Sequence, residues 1–210
     1  IEARQRYVNL GDYAVEDRFT HAGPQTTCPS AYGYSFAGGS TEDGGGHFLF
    51  EEGMTEQSIF LDFLIGWLTG APKWTEAVKK CQAPKAILFE TGIGKPPLQS
   101  QIRSVTVARI GQLVILAMPA EVTTMAGRRL RRAVMTELGD WAKHIVLAGY
   151  ANGYAGYITT PEEYRLQQYE GGHTLHGPWT LPAYQQIASR LASALDSRTA
   201  IESTSIYDDW

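Results

Sequence analysis

The sequence lacks long apolar runs and any concentration of positive charge. Its longest apolar run, Leu113–Met118, is far too short to span a bilayer. The 18 Lys and Arg side chains are interspersed with 22 Asp and Glu side chains, for a net charge of −4. No basic stripe is therefore offered to a phosphate backbone, and nucleic acid is not an expected partner. The remaining composition is typical of a globular domain.

Cysteine occurs only twice, as Cys28 and Cys81. Two cysteines this far apart do not form a zinc knuckle, which needs closely spaced pairs. Residue type and spacing allow either two separate buried thiols or one disulfide bond. A disulfide would indicate an oxidising compartment.

Common catalytic and targeting motifs are also absent. No GxSxG occurs, so a self-contained serine-hydrolase triad has little support. His173 and His176 form an HxxH pair, but glycines interrupt that segment, so a structural role is favoured over metal binding. No apolar signal segment follows Ile1, and we therefore expect a truncated or processed chain.

The hydrophobic periodicity predicts strands that alternate with helices. Val105–Ile110 and Leu113–Ala117 read as neighbouring strands, and His144–Ala148 as a third. Between Leu113–Ala117 and His144–Ala148 the apolar residues recur about every 3.6 positions, which indicates a helix. Met125, Leu130 and Val134 share one face of it. This order is typical of a βαβ unit with a parallel pair. We predict an α/β fold with a mixed sheet, βαβ units and flanking helices.

Further elements follow from caps and turn residues. The segment from Phe19 to Gly53 is rich in Gly, Ser and Thr yet carries bulky aromatic residues, so it is either a functional segment or a surface loop. The other predicted elements are a strand at Gln5–Tyr13, an amphipathic helix at Ile59–Leu68 ending near Gly70 and Pro72, a helix at Thr75–Cys81, a strand at Ala86–Phe89, a helix opened by a capping box of Thr160 and Glu163, and a last helix at Trp179–Leu195.

The topology predicts where the chemistry lies. Ligands bind beyond the carboxyl ends of strands in open α/β sheets. The segments that follow the two predicted parallel strands should therefore face each other, with Glu121 near Tyr154 or Tyr157. A carboxylate and a phenol are both oxygen donors, and zinc accepts carboxylate oxygen. The alternative, in which Glu121 only stabilises the N-terminus of the following helix, is at least as well supported by the residues alone.

Three long motifs resemble the neutral ceramidase family. They are MPAEVTTMAGRRLRRAV (Met118–Val134), NGYAGYITTPEEYRLQQYEGGHTLHGPWTLPAY (Asn152–Tyr184) and GYSFAGGSTEDGGG (Gly33–Gly46). They occur in family order, and the resemblance covers nearly the whole chain. The resemblance implies a Zn²⁺-dependent amidase that hydrolyses ceramide, a lipid, to sphingosine and a fatty acid.

The resemblance also implies roles for particular residues. Glu121 and Tyr157 stand where the family has zinc ligands, and Tyr169 stands where it has a tyrosine thought to stabilise the amide oxyanion. The family's paired cysteines match Cys28 and Cys81, which implies a disulfide and a secreted or cell-surface protein. His173 and His176 occupy positions that are usually serine and an aromatic residue, so they are not expected as ligands.

Other parts of the family pattern have no match in this chain. These are two histidine ligands, an active-site serine in a G-D-x-S-P-N motif, and an immunoglobulin-like domain. The resemblance therefore identifies residues 1–210 as a C-terminal portion of the catalytic domain, with the N-terminal half as its expected partner. Two alternatives remain: a non-catalytic lipid-binding or interaction module derived from a ceramidase, and an independent metal amidase that uses the two histidines.

Overall fold

The structure is a computed structural model that describes residues 1–42, 44–69 and 74–199. The strands and helices of the described residues have these bounds: β1 (Glu2–Asn9), β2 (Ala14–Val15), α1 (Asp17–Thr20), β3 (Gln25–Thr26), β4 (Ala31–Gly33), α2 (Tyr34–Gly38), α3 (Ile59–Thr69), α4 (Glu76–Gln82), β5 (Ile87–Glu90), β6 (Ile102–Ile110), β7 (Leu113–Ala117), β8 (Glu121–Val122), α5 (Thr124–Thr136), β9 (His144–Ala148), β10 (Tyr157–Ile158), α6 (Pro161–Leu166), α7 (Tyr169–Gly172) and α8 (Thr180–Ser197).

The principal sheet has four strands in the order β1-β6-β7-β9. β6 is antiparallel to both of its neighbours, whereas β7 and β9 run parallel, with Leu113 opposite His144 and Ala117 opposite Ala148. The helix α5 connects the two parallel strands. The predicted α/β fold with a mixed sheet and a βαβ unit is thus confirmed.

Two helices cover one face of this sheet and close the main core. In α5 the residues Leu130 and Val134 are buried, as their spacing predicts, while its arginines lie outside. Met125 was assigned to the same face but is 43% exposed, and its sulfur lies 3.7 Å from Arg128 Nη1. Most residues of α8 are buried, because this helix packs on α5, β1 and β6. The core thus fixes the carboxyl ends of β7 and β9 in relation to each other.

A second group of elements is built on a short antiparallel pair, β4 and β5. Cys28 and Cys81 form a disulfide bond, with their Cα atoms 5.8 Å apart, so the bond implied by the resemblance is present. The side chain of Thr75 accepts a hydrogen bond from the Val78 amide and caps α4. The disulfide therefore attaches α4 to the segment that leads into β4.

The helix α3 differs from its prediction as an amphipathic helix. Its inner side carries Leu61 and Ile65, but its outer side is apolar as well. Ile59, Phe63 and Trp67 are 88%, 73% and 74% exposed. The predicted helix end at Gly70 and Pro72 lies outside the described residues. Within the described ranges, no helix combines the length and the apolar character needed to cross a bilayer.

Candidate functional site

Two very short strands join the segments that follow β7 and β9. β8 and β10 pair in parallel, and Glu121 lies directly opposite Tyr157 in this ladder. The Glu121 amide donates to the Gly156 carbonyl at 2.9 Å, and the Thr123 amide donates to the Ile158 carbonyl at 3.2 Å. The two residues that the topology and the resemblance single out are therefore neighbours, held by main-chain hydrogen bonds on both sides of the pair.

Tyrosine hydroxyls surround the Glu121 carboxylate. Tyr154 donates a hydrogen bond to Glu121 Oε1 at 2.6 Å. The hydroxyls of Tyr150 and Tyr157 also lie where hydrogen bonds from them lower the pKa of the carboxylate. Burial opposes ionisation of this carboxyl, but the three phenol donors outweigh it and hold the Glu121 pKa below its ordinary value. Glu121 is therefore an anion at neutral pH. Accepting these hydrogen bonds is a more specific role for Glu121 than stabilising the N-terminus of the helix that follows it.

The pKa values of the neighbouring tyrosines shift in the opposite direction, upward. Burial first, and then the neighbouring Glu121 carboxylate, raise the pKa of Tyr154 and of Tyr157 well above the ordinary value of a phenol. Both phenols are therefore neutral hydrogen-bond donors at physiological pH. A dication placed between Glu121 and Tyr157 would reverse this, because positive charge favours the phenolate.

The donor set fits a metal ion in part. An ionised carboxylate and an adjacent phenol supply two oxygen ligands, whereas a zinc site is usually tetrahedral. Among the described residues, no group of three or more His, Cys, Asp or Glu side chains could hold a metal ion. Within the described residues, Glu121 and Tyr157 would therefore offer two oxygen donors to such an ion.

Tyr169 lies beside this pair, at the first residue of α7. Its ring is 5.8 Å from the ring of Tyr157 at an angle of 78°, an edge-to-face arrangement. The Tyr169 ring also stacks on Phe36, with ring centroids 5.9 Å apart. The structure therefore brings together all three residues for which the resemblance implied a role.

The two histidines of the HxxH pair lie in different surroundings. His173 contacts the rings of the site tyrosines, whereas the ring of His176 is fully buried, with Nδ1 3.1 Å from the Cys28 carbonyl oxygen. Burial lowers the pKa of His173 to about 4 and that of His176 to about 3, so both are neutral at physiological pH. Among the described residues no group of three or more His, Cys, Asp or Glu side chains could hold a metal ion, and the two histidines lie in different surroundings, so the geometry does not favour an independent metal amidase that uses them.

One part of the glycine-rich segment belongs to the site, and another part is a surface loop. Tyr32 and Phe36 reach the site, where their rings lie 5.2 and 4.5 Å from the ring of His173. Gly44 and Gly45, by contrast, lie in open space at the surface. Two of the aromatic residues of this segment are thus part of the site, and its tip at Gly44 and Gly45 is a surface loop.

Sequence reasoning did not identify Tyr150 as a partner of Glu121. Its ring stacks on Tyr154, with centroids 5.8 Å apart and planes within 8°. Tyr150 has a positive φ of 55°, an unusual backbone state for a tyrosine, and it sits just after β9. A position directly beyond the carboxyl end of a strand was the one sequence signal that could have pointed to it.

Comparison with known proteins agrees with the motifs. Residues 1–186 match the model of a family described as neutral/alkaline non-lysosomal ceramidase, N-terminal. A neutral ceramidase of Pseudomonas aeruginosa is 44% identical over 211 residues, which cover 100% of this chain and 31% of that protein. A neutral ceramidase of Oryza sativa subsp. japonica is 44% identical over 205 residues, which cover 93% of this chain and 26% of that protein.

Solved structures give the same result. The crystal structure of neutral ceramidase from Pseudomonas aeruginosa superposes with a TM-score of 0.76 and 40% identity, covering 97% of this chain and 30% of that chain. A ceramidase solved in complex with C2 superposes with a TM-score of 0.80 and 45% identity, covering 97% of this chain and 31% of that one. The chain thus spans 26–31% of the length of these relatives. It belongs to the neutral/alkaline non-lysosomal ceramidase family.

Proposed function

We propose that this chain supplies half of a zinc site and an oxyanion-stabilising tyrosine to a ceramidase, which hydrolyses the N-acyl amide of ceramide to sphingosine and a fatty acid. The observation that carries the proposal is the direct pairing of Glu121 with Tyr157. Family membership supports the choice of ceramide as the lipid substrate. The position of Tyr169 beside that pair supports its role at the same site.

Each residue has a distinct task in this proposal. Zinc, when bound, supplies a Lewis acid that polarises the amide carbonyl and activates water for attack. Glu121 contributes a fixed negative charge, because its hydrogen bonds keep it ionised. Tyr157 contributes the second oxygen donor. Tyr169 donates a hydrogen bond to the oxyanion that develops on the amide oxygen, and such preorganised donors give large rate effects.

The proposal requires a partner that completes the site. Four ligands are usual for zinc and this chain offers two, so we expect the others from the N-terminal half of the same family protein. The chain alone is then expected to bind zinc weakly and to leave ceramide intact. Assignment of residues 1–210 to a C-terminal portion of the catalytic domain, followed in the family by an immunoglobulin-like domain, belongs to this proposal.

The disulfide supports a location for the protein. Bonds of this kind persist in oxidising compartments, so we propose that the protein is secreted or exposed at the cell surface. Mass spectrometry after alkylation, on protein recovered separately from the medium and from cells, tests this. Recovery mainly from cells with both thiols alkylated would contradict the proposal.

A chimera gives the sharpest test of the function. This chain replaces its matched region in the Pseudomonas aeruginosa neutral ceramidase, which the alignment covers over the full length of this chain. We expect the folded chimera to contain zinc and to hydrolyse a fluorescent ceramide. Glu121→Gln should reduce both zinc affinity and turnover by more than the roughly 100-fold that loss of an outer-shell partner costs.

A matched carboxylate serves as the control. Glu162 forms an exposed ion pair with Arg129, so Glu162→Gln should leave turnover within about twofold. A chimera that is folded, as judged by circular dichroism, but neither holds zinc nor hydrolyses ceramide would refute the proposal. If that folded and inactive chimera still bound ceramide-containing vesicles, the non-catalytic lipid-binding module would be the better description.

A further inference from the structure

His173 lies at the centre of the aromatic residues of the site. Its imidazole contacts five rings from three segments of the chain, and Phe36 and Tyr32 lie nearest to it. The ring centroids are 4.5 Å (Phe36), 5.2 Å (Tyr32), 5.7 Å (Tyr157), 5.8 Å (Tyr154) and 6.1 Å (Tyr169) from the centroid of the imidazole. The imidazole thus packs against Phe36 and Tyr32 and also against the three tyrosines Tyr154, Tyr157 and Tyr169.

The main chain of His173 is bonded to two of those tyrosines. Its amide donates to the Tyr169 carbonyl oxygen at 3.0 Å, and its carbonyl oxygen accepts from the Tyr157 amide at 3.1 Å. His173 therefore touches each of these residues twice, once through the backbone and once through the ring. A displacement of this one residue would be passed on to both phenols.

The imidazole is also tightly enclosed. His173 is only 5% exposed, and a Cβ atom at Gly156 would lie 2.8 Å from its Cδ2 atom. Gly156 has a φ of +66°, so glycine serves both the backbone state and the close approach. The Nδ1 atom of the imidazole is buried without a hydrogen-bond partner among the described residues. Packing against the neighbouring rings and against Gly156 therefore holds the imidazole, with no contribution from a hydrogen bond to Nδ1 among the described residues.

We propose that His173 is the positioning residue for the paired phenols of Tyr157 and Tyr169. Its ring fixes the angle between theirs, so that one phenol faces Glu121 while the other is held beside it. His173 acts through packing and main-chain hydrogen bonds, and it neither coordinates the metal nor contacts the substrate. This inference rests on the proposed function, because it assigns a task within the same site.

Aromatic packing explains why an imidazole performs this task. Tilted and edge-to-face pairs of rings have preferred angles, and the contacts of His173 with Tyr157 and Tyr169 are of these kinds, at 51° and 66°. With a side chain that lacks a ring at position 173, the orientation of the Tyr157 and Tyr169 rings would depend mainly on their contact with each other. Removal of a residue that orients a metal ligand typically lowers metal affinity by about 10- to 100-fold.

The test uses two substitutions in the chimera described above. His173→Ala removes the ring, and we expect zinc affinity, measured by competition with a chelator, to fall about 10-fold or more. The kcat should fall by a similar factor while KM changes little. His173→Phe keeps a ring and removes the unpartnered nitrogen, so it should restore zinc affinity and kcat to within about threefold of the unsubstituted chimera and raise the melting temperature.

His176 provides the matched control, because it is a buried histidine of the same segment whose ring nitrogen lies against Cys28. We expect His176→Ala to lower the melting temperature but to leave zinc affinity unchanged well below melting. Equal losses of zinc affinity in the two alanine variants would reduce His173 to a structural residue and overturn the inference. A phenylalanine variant as impaired as His173→Ala would overturn it too, because a ring nitrogen would then be required.

The outcome for His173 is distinct from that for the proposed function. An active unsubstituted chimera that tolerates His173→Ala would retain the function and remove this inference. If the chimera binds zinc without turnover, zinc affinity still decides the role of His173. A folded chimera that binds no zinc and shows no turnover would refute both.

Discussion

The disulfide between Cys28 and Cys81 should contribute a large part of the stability of this chain. It closes a loop whose ends are 53 residues apart in sequence. On the Cys28 side, the amide donates to the His176 carbonyl oxygen at 3.1 Å. The bond therefore links α4 to the segment that also carries Tyr169 and His173. Removing it, in a Cys28→Ala/Cys81→Ala double variant, tests how much that link contributes.

The size of the effect follows from loop closure. With 53 residues in the loop, the chain-entropy relation gives about 14 cal/mol/K. At 25 °C this corresponds to about 4 kcal/mol of unfolding free energy. Cys28 is fully buried, so its replacement by alanine adds a further loss of packing.

Equilibrium unfolding in guanidinium chloride is the appropriate assay. The unfolding free energy of the reduced chain should lie about 4 kcal/mol below that of the oxidised chain, and that of the double variant should be lower still, because it also loses packing. Wild-type chain that has been reduced separates the two contributions, because it loses the bond but keeps both sulfur atoms. A difference of less than about 1 kcal/mol between oxidised and reduced chain would refute the loop-closure reasoning.

Three further predictions concern the site and its supports. Tyr169→Phe should lower the kcat of the chimera by about 100- to 1000-fold with little change in KM, and an effect on KM alone would contradict its proposed role. Gly156→Ala should lower the unfolding free energy by about 1–3 kcal/mol, and by more than Gly153→Ala, because Gly153 also has a positive φ but has open space around it. Burial lowers the pKa of Lys85 well below its ordinary value, so the unfolded chain binds a proton at Lys85 more readily than the folded chain does. The unfolding free energy of the wild type should therefore rise with pH toward the ordinary lysine pKa. The melting temperature of wild type relative to Lys85→Met should therefore increase between pH 7 and 9, and a decrease would show that the sign is wrong.

Local patterns were sufficient to predict the elements on either side of the site. The change of period after Leu113–Ala117 indicated a helix between two parallel strands, and the structure has that unit. The capping box of Thr160 and Glu163 was also predicted and is present at α6. Both features depend on residues close in sequence, whose physical reasons can be read without a tertiary structure.

The aromatic surroundings of His173 could not be predicted in the same way. Tyr32 and His173 are far apart in the chain, and their contact depends on how the β4-β5 pair packs against the segment with α7. The exposed side of α3 was missed for a related reason: periodicity reveals an apolar face but does not tell whether it is covered. Interactions of this kind arise only from the assembled fold.

The rung formed by Glu121 and Tyr157 in the β8-β10 ladder has a consequence for variation in this family. Two main-chain hydrogen bonds determine their separation, so the number of residues between them has little influence on it. Insertions in the surface turns of this stretch should be tolerated, whereas the loss of one residue next to either strand would turn that side chain to the opposite side. A sequence pattern that fixes the number of residues between Glu121 and Tyr157 would therefore overlook family members in which the carboxylate and phenol oxygens still lie side by side.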